Sequence, residues 1–217
     1  RTIGNTSLAS GALGLGCNKM LDAGNADLVR TANAAIDAGI VHFDGADSYG
    51  EGKCEIFFSK VLNPRRSEVT VASKFGMIRK PDGTRAVDGS PGYARRACEE
   101  SLKRLQMDCI DLYYLHRIDA RVPVEESIGA MAELVRSGKV KALGICNTDA
   151  ATIRRAHAVH PLAAVQMEYS LMERGVERDV LPTCAELGIS VVAYGPLTYA
   201  FLAGDVQTQA DLPKEDA

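Results

Sequence analysis

This sequence predicts an α/β architecture in which a parallel sheet is covered by helices. Three observations carry the prediction. Short apolar, β-branched runs alternate with helical segments over most of the 217 residues. No linker, internal repeat or low-complexity stretch divides the chain, so residues 1–217 read as one domain. The glycines of "GALGLG" (11–16) lack G-x-G-x-x-G spacing, and the next helix starts about ten residues later, so their amides cannot form a dinucleotide phosphate loop. That result favours a (β/α)8 barrel over a doubly wound open sheet.

The elements follow in order. "ALGLGC" (12–17) is a short apolar strand entered through a tight turn. "ADLVRTANAAIDAG" (26–39) sets Leu28, Ala32, Ala35 and Ile36 on one helical face and stops at Gly39. "VHFDGA" (41–46) is a strand, "CEIFFSKVL" (54–62) a helix and "VTVASK" (69–74) a β-branched strand. Residues 76–92 are rich in turn formers and read as a long loop, functional or mobile. A helix over 93–106 leads to the strand "CIDLYYLH" (109–116). Pro123 opens the next helix, Glu125 and Glu126 fill its first turn, and Gly138 closes it. "VKALGIC" (140–146), a helix over 149–159, "AAVQMEY" (163–169), a helix to Gly188 and "ISVVAYGP" (189–196) complete the pattern. Seven strands of an eight-stranded barrel are readable and the eighth is missing. With no initial Met and this strand count, the sequence is expected to be part of a longer chain that continues past Ala217.

Composition narrows the classes of function. A net charge of −3 gives no field that favours nucleic acid or anionic membrane, and no apolar run is long enough to span a bilayer. The six cysteines include no Cys-x-x-Cys pair, so no metal site is expected, and free thiols fit a cytoplasmic protein. The run "RRACEESLKR" (95–104) reads as a solvated helix face, and His42, His157 and His160 as ordinary structural histidines.

In a barrel, chemistry gathers at the C-terminal ends of the strands. Those ends here carry Asp44 with Tyr49 five residues on, Lys74, His116, Cys146 with Asn147, Gln166, and Tyr194 with Gly195. The combination has a chemical logic. A tyrosine is a weak acid that a nearby ammonium strengthens, and a carboxylate holds that ammonium charged and aimed. A histidine beside them positions a carbonyl oxygen or relays a proton. Such a set delivers a proton to a developing alkoxide, as reduction of a carbonyl by hydride requires.

"FDGADSYG", "SLKRLQMDCIDLYYLHRID", "GAMAELVRSGKVKALGICN", "AVQMEYSL" and "VVAYGPLTYAFLAG" resemble, in order, the signature blocks of the aldo-keto reductase superfamily. The resemblance runs over almost the whole chain. It implies an NADPH-dependent reductase of small aldehydes or ketones, with Asp44, Tyr49, Lys74 and His116 as the catalytic tetrad and Tyr49 as general acid. By the same resemblance, Asn147 and Gln166 hold the nicotinamide carboxamide, Tyr194 lies against its ring, and Gly195 and Leu197 follow the pyrophosphate. Cys17, Asn18, Asp44 and Cys146 complete the expected cofactor contacts, with Cys146 facing the nicotinamide.

This chain also departs from the pattern. Gly45 stands where a threonine is usual, Cys146 where a serine is usual, and Met167, Gly195 and Thr198 also differ. The alternative reading is a non-enzymatic or weakly active NADPH-binding subunit on the same fold, and the intact tetrad favours the enzyme.

Overall fold

The computed structural model describes residues 1–80, 82–198 and 201–204. Seven parallel strands form one sheet: β1 (Gly14–Gly16), β2 (His42–Asp44), β3 (Thr70–Phe75), β6 (Ile110–Leu115), β7 (Val140–Cys146), β8 (Leu162–Glu168) and β9 (Ser190–Tyr194), hydrogen-bonded in that order. Helices α1 (Ala26–Asp37), α2 (Lys53–Val61), α3 (Pro91–Leu105), α4 (Val124–Arg136), α5 (Ala150–Val159) and α6 (Val180–Leu187) connect them. The result is a nearly closed (β/α)8-type barrel, with β1 and β9 at the two ends of the order. An eighth strand is not among the described residues. Among those residues no helix is long and apolar enough to cross a membrane.

Local signals fix the helix starts. The Asn25 side chain accepts from the amides of Asp27 and Leu28 at the head of α1, and Asp149 does the same for Thr152 at α5. Ser90 caps α3, whose first residue, Pro91, needs no amide partner. Pro182 lies in the first turn of α6, where an amide has no intrahelical acceptor, so the proline does not interrupt the helix.

Residues 76–92 differ from the predicted loop. They contain an antiparallel hairpin, β4 (Met77–Arg79) with β5 (Arg85–Val87), in the register Ile78↔Ala86. Its turn is held by the amide and hydroxyl of Thr84, both donating to Asp82 Oδ1 at 2.9 and 2.6 Å. The strands are three residues long and carry arginines, so they lack the apolar alternation that marks a strand in sequence.

Two layers make the core. Phe43, Val71, Tyr113, Leu115, Leu143, Ile145 and Val165 point outward under the helices and are fully buried, and Phe58 of α2 packs onto this layer. Ala72, Leu112, Tyr114, Ala142, Cys146 and Ala164 fill the barrel interior. The N-terminal segment, which the sequence does not mark as structured, forms a small antiparallel bridge (Thr2 with Ala9) whose Ile3 and Leu8 join that inner cluster.

Gly144 shows how tight the interior is. A Cβ there would lie 2.4 Å from the Tyr114 ring and 2.9 Å from the Ala164 carbonyl. Gly144→Ala is therefore expected to destabilise the protein by about 1–3 kcal/mol. Urea unfolding at equilibrium checks this, and an unchanged midpoint would show that the ring moves aside freely.

Candidate active site

The site follows from the inward face of the strand ends. Asp44 ends β2, Lys74 lies one residue before the end of β3, and His116 directly follows β6. The chain after β2 stays tied to β3, because the Gly45 amide donates to Ala72 O and the Asp47 amide to Lys74 O. This lays residues 45–49 over the mouth and brings Tyr49 to Lys74. Gly45 permits the path: a Cβ there would sit 2.7 Å from the Phe58 ring and 3.2 Å from Cys54 Sγ.

Lys74 is fully buried, and its ammonium uses all three of its protons. Nζ donates to Asp44 Oδ1 in a tight ion pair, to Gly45 O at 2.9 Å and to Tyr49 Oη at 3.3 Å. The other oxygen of Asp44 accepts from Gln166 Nε2 at 2.7 Å. Burial is the largest single effect and disfavours the charged lysine, but Asp44, Tyr49 and Cys146 together outweigh it and hold Lys74 above the usual lysine range.

Tyr49 runs opposite to the simple expectation. Lys74 does pull the phenol toward ionisation, yet burial is the larger effect and raises it on balance. The hydroxyl is accordingly protonated at neutral pH. His116 meets the Tyr49 ring edge-on, with centroids 5.8 Å apart at 77°. Its Nδ1 is buried without a hydrogen-bond partner among the described residues. Burial, then Lys74, lowers the imidazole to about 3, so it is neutral.

That depression sets a pH dependence. The unfolded chain takes up the His116 proton below the ordinary value of 6.5, while the folded protein resists it down to about 3. Stability therefore falls as pH drops through this window. His116→Gln is expected to lose less stability than wild type between about pH 7 and about pH 5, measured by urea unfolding. Equal losses would show that His116 is not held neutral.

Asn147, at φ +53°, donates its amide to Gln166 O at 3.0 Å, and its Oδ1 accepts from the Tyr194 hydroxyl at 2.7 Å. Asn147, Gln166, Tyr194 and Gly195 line one cleft of about 2070 Å³ together with Asp44, Tyr49 and His116. Asn147 Nδ2 and Gln166 Oε1 have no partner among the described residues, leaving one amide donor and one amide acceptor on the same cleft. Asn18 is exposed on the same cleft.

Two expected residues, Cys146 and Leu197, sit elsewhere. Cys146 does not face the cleft: it is fully buried in the barrel interior, because the alternation of β7 turns residues 142, 144 and 146 inward beneath the mouth. Cys17 does line the cleft beside Asn18, but it is fully buried and its thiol donates to Leu15 O. Leu197 is exposed and does not line the cleft, although Gly195 and Pro196 do.

Other residues escaped the sequence reading. Glu55 is fully buried and accepts from Ser73 Oγ at 2.5 Å and Arg104 Nε at 2.6 Å, which braces the strand residue preceding Lys74. The run 95–104 is thus not wholly solvated: Arg104 turns in to meet the Glu55 carboxylate and Ser101 is buried, because an unpaired charge at Glu55 would be costly. Asp47, two residues before Tyr49, has a buried Oδ1 with no partner among the described residues. Burial, with Glu55 next in effect, pushes its carboxyl up to about 7. The available signal was a glutamate and an aspartate close to apolar runs, which periodicity alone does not distinguish from surface acids.

A parallel barrel with a buried lysine–aspartate pair under a protonated tyrosine, at the strand ends, defines an oxidoreductase-type site. Residues 10–217 match the aldo/keto reductase family model. The chain aligns with the glycerol dehydrogenase AKR11B4 from Gluconobacter oxydans at 31% identity and a TM-score of 0.91, over 100% of this chain and 68% of that one. It is similar to the holo form of AKR11C1 from Bacillus halodurans at 32% identity and a TM-score of 0.85, over 99% of this chain and 70% of that one. An aldo/keto reductase from Klebsiella pneumoniae, solved with NADP and acetate, matches at 33% identity and a TM-score of 0.75, over 88% of this chain and 66% of that one. The chain belongs to the aldo/keto reductase family, oxidoreductases that act on carbonyl groups.

Proposed function

We propose that this protein reduces small aldehydes or ketones with NADPH, and that Tyr49 is the general acid. One observation carries the reading: the fully buried ammonium of Lys74 bridges the Asp44 carboxylate and the Tyr49 hydroxyl. The unpartnered amide groups of Asn147 and Gln166 fit a primary carboxamide, which needs one acceptor and one donor. These two residues would hold the nicotinamide, with the Tyr194 ring beside it. When bound, the cofactor supplies the hydride.

The chain's own residues handle the proton. Tyr49 rests protonated and delivers its proton from Oη to the carbonyl oxygen as charge develops there. Lys74 stabilises the phenolate that remains, and Asp44 keeps Lys74 charged and aimed throughout. Neutral His116, whose ring lies edge-on to Tyr49, orients the carbonyl oxygen without competing for the proton. The alternative of an inactive binding subunit has less support, since nothing in such a role calls for a charge buried at this cost.

The direct test is loss of NADPH absorbance in the presence of 4-nitrobenzaldehyde. Cofactor binding by fluorescence without turnover of any aldehyde or ketone would favour the binding subunit.

A further inference from the structure

We propose that the preferred substrates carry a carboxylate or similar anionic group, and that Arg117 recognises it. The proposal rests on the carbonyl-reduction reading of the same cleft. Arg117 directly follows His116, is exposed and lines the cleft. Its guanidinium has no hydrogen bond or ion pair among the described residues, and its charge reaches both His116 and Cys146. An arginine without a partner beside the proton-transfer groups is a ready fork for a planar anion.

The surroundings leave that charge uncompensated. Among the acids that line the cleft, Asp44 is engaged by Lys74 and Gln166 and Glu51 by Arg79, while burial raises the Asp47 carboxyl to about 7 and so weakens its charge at neutral pH. Arg85 of the β4–β5 hairpin is exposed on the same cleft and is also unpaired among the described residues. The hairpin and the segment after β6 form one unit, since Arg121 donates to Val87 O at 2.6 Å and the Gly89 amide donates to Asp119 at 3.1 Å.

Position in the sheet separates these cations from the residues assigned to the cofactor's phosphates. The hairpin follows β3 and Arg117 follows β6, third and fourth in strand order, whereas Gly195 follows β9, the seventh. In a ring of eight positions the third and seventh are opposite. Arg85 thus lies across the mouth from the turn at Gly195, and Arg117 three strand positions from it, which sets both apart from that turn.

The test compares 4-carboxybenzaldehyde with its neutral methyl ester, methyl 4-formylbenzoate, as substrates of the purified protein. The ratio of their kcat/KM values is expected to favour the acid by about tenfold or more, and Arg117→Gln to lower that ratio by roughly 10–100-fold. Arg117→Lys is expected to keep part of the preference, because the charge survives while the fork is lost. A wild-type ratio near one, or a ratio unchanged in Arg117→Gln, would overturn the proposal and leave carbonyl reduction standing. An equal fall for both substrates with weakened NADPH binding would place Arg117 on the cofactor and also overturn it. Turnover of neither substrate by wild type would remove the carbonyl-reduction reading and this proposal together.

Discussion

Replacing Tyr49 with phenylalanine is expected to lower kcat for carbonyl reduction by about 10²–10⁴-fold, the usual worth of a positioned general acid. The ring would still fill its half-buried place against His116, so the shape of the cleft survives. Lys74 would keep Asp44 and the Gly45 carbonyl as acceptors, so the ion pair beneath survives as well. NADPH affinity should accordingly change little. Steady-state kinetics and a fluorescence titration measure the two quantities separately. If the variant keeps more than half of its kcat, the proton comes from another group. His116 is a poor candidate, because it is neutral and binds a proton only near pH 3.

Lys74→Met is expected to remove activity and stability together. The substitution leaves Asp44, whose side chain is 13% exposed, without its countercharge and with Gln166 as its remaining side-chain partner. Breaking a buried pair on one side costs about 3–5 kcal/mol. The double variant Lys74→Met/Asp44→Asn removes both charges and should recover most of that stability with no recovery of activity. Recovery of turnover in the double variant would show that Lys74 only supports the fold. The pH dependence has a definite sign. Lys74 is held above its ordinary 10.5 in the folded protein, so its contribution is complete below that value and is lost as pH rises beyond it. Wild type should therefore lose stability on the alkaline side through this group, and Lys74→Met should lack that component.

The alternation of strands and helices was legible because each element carries its own period and its own caps. The strand "VKALGIC" appears in the structure with the boundaries read from the sequence, Pro123 stands at the start of α4, and Gly39, at φ +82°, follows the end of α1. The residues at the strand ends were legible too, because a parallel barrel places those ends at one mouth. The β4–β5 hairpin was not, since its strands are too short to show a period.

By itself the sequence determined that the chain alternates β and α, that polar residues gather at strand ends, and which residues those are. Only the tertiary structure decided what each does there. Cys146 and Gln166 are direct partners in the β7–β8 register, yet Cys146 is sealed in the interior and Gln166 binds Asp44 at the mouth. Glu55 and Arg104 lie far apart in the chain and become a buried pair when α2 packs on α3. Tyr49 feels a cation that lowers its pKa and a burial that raises it, and the second effect is larger. Desolvation depends on every neighbouring atom in space, and a one-dimensional pattern records neighbours only along the chain.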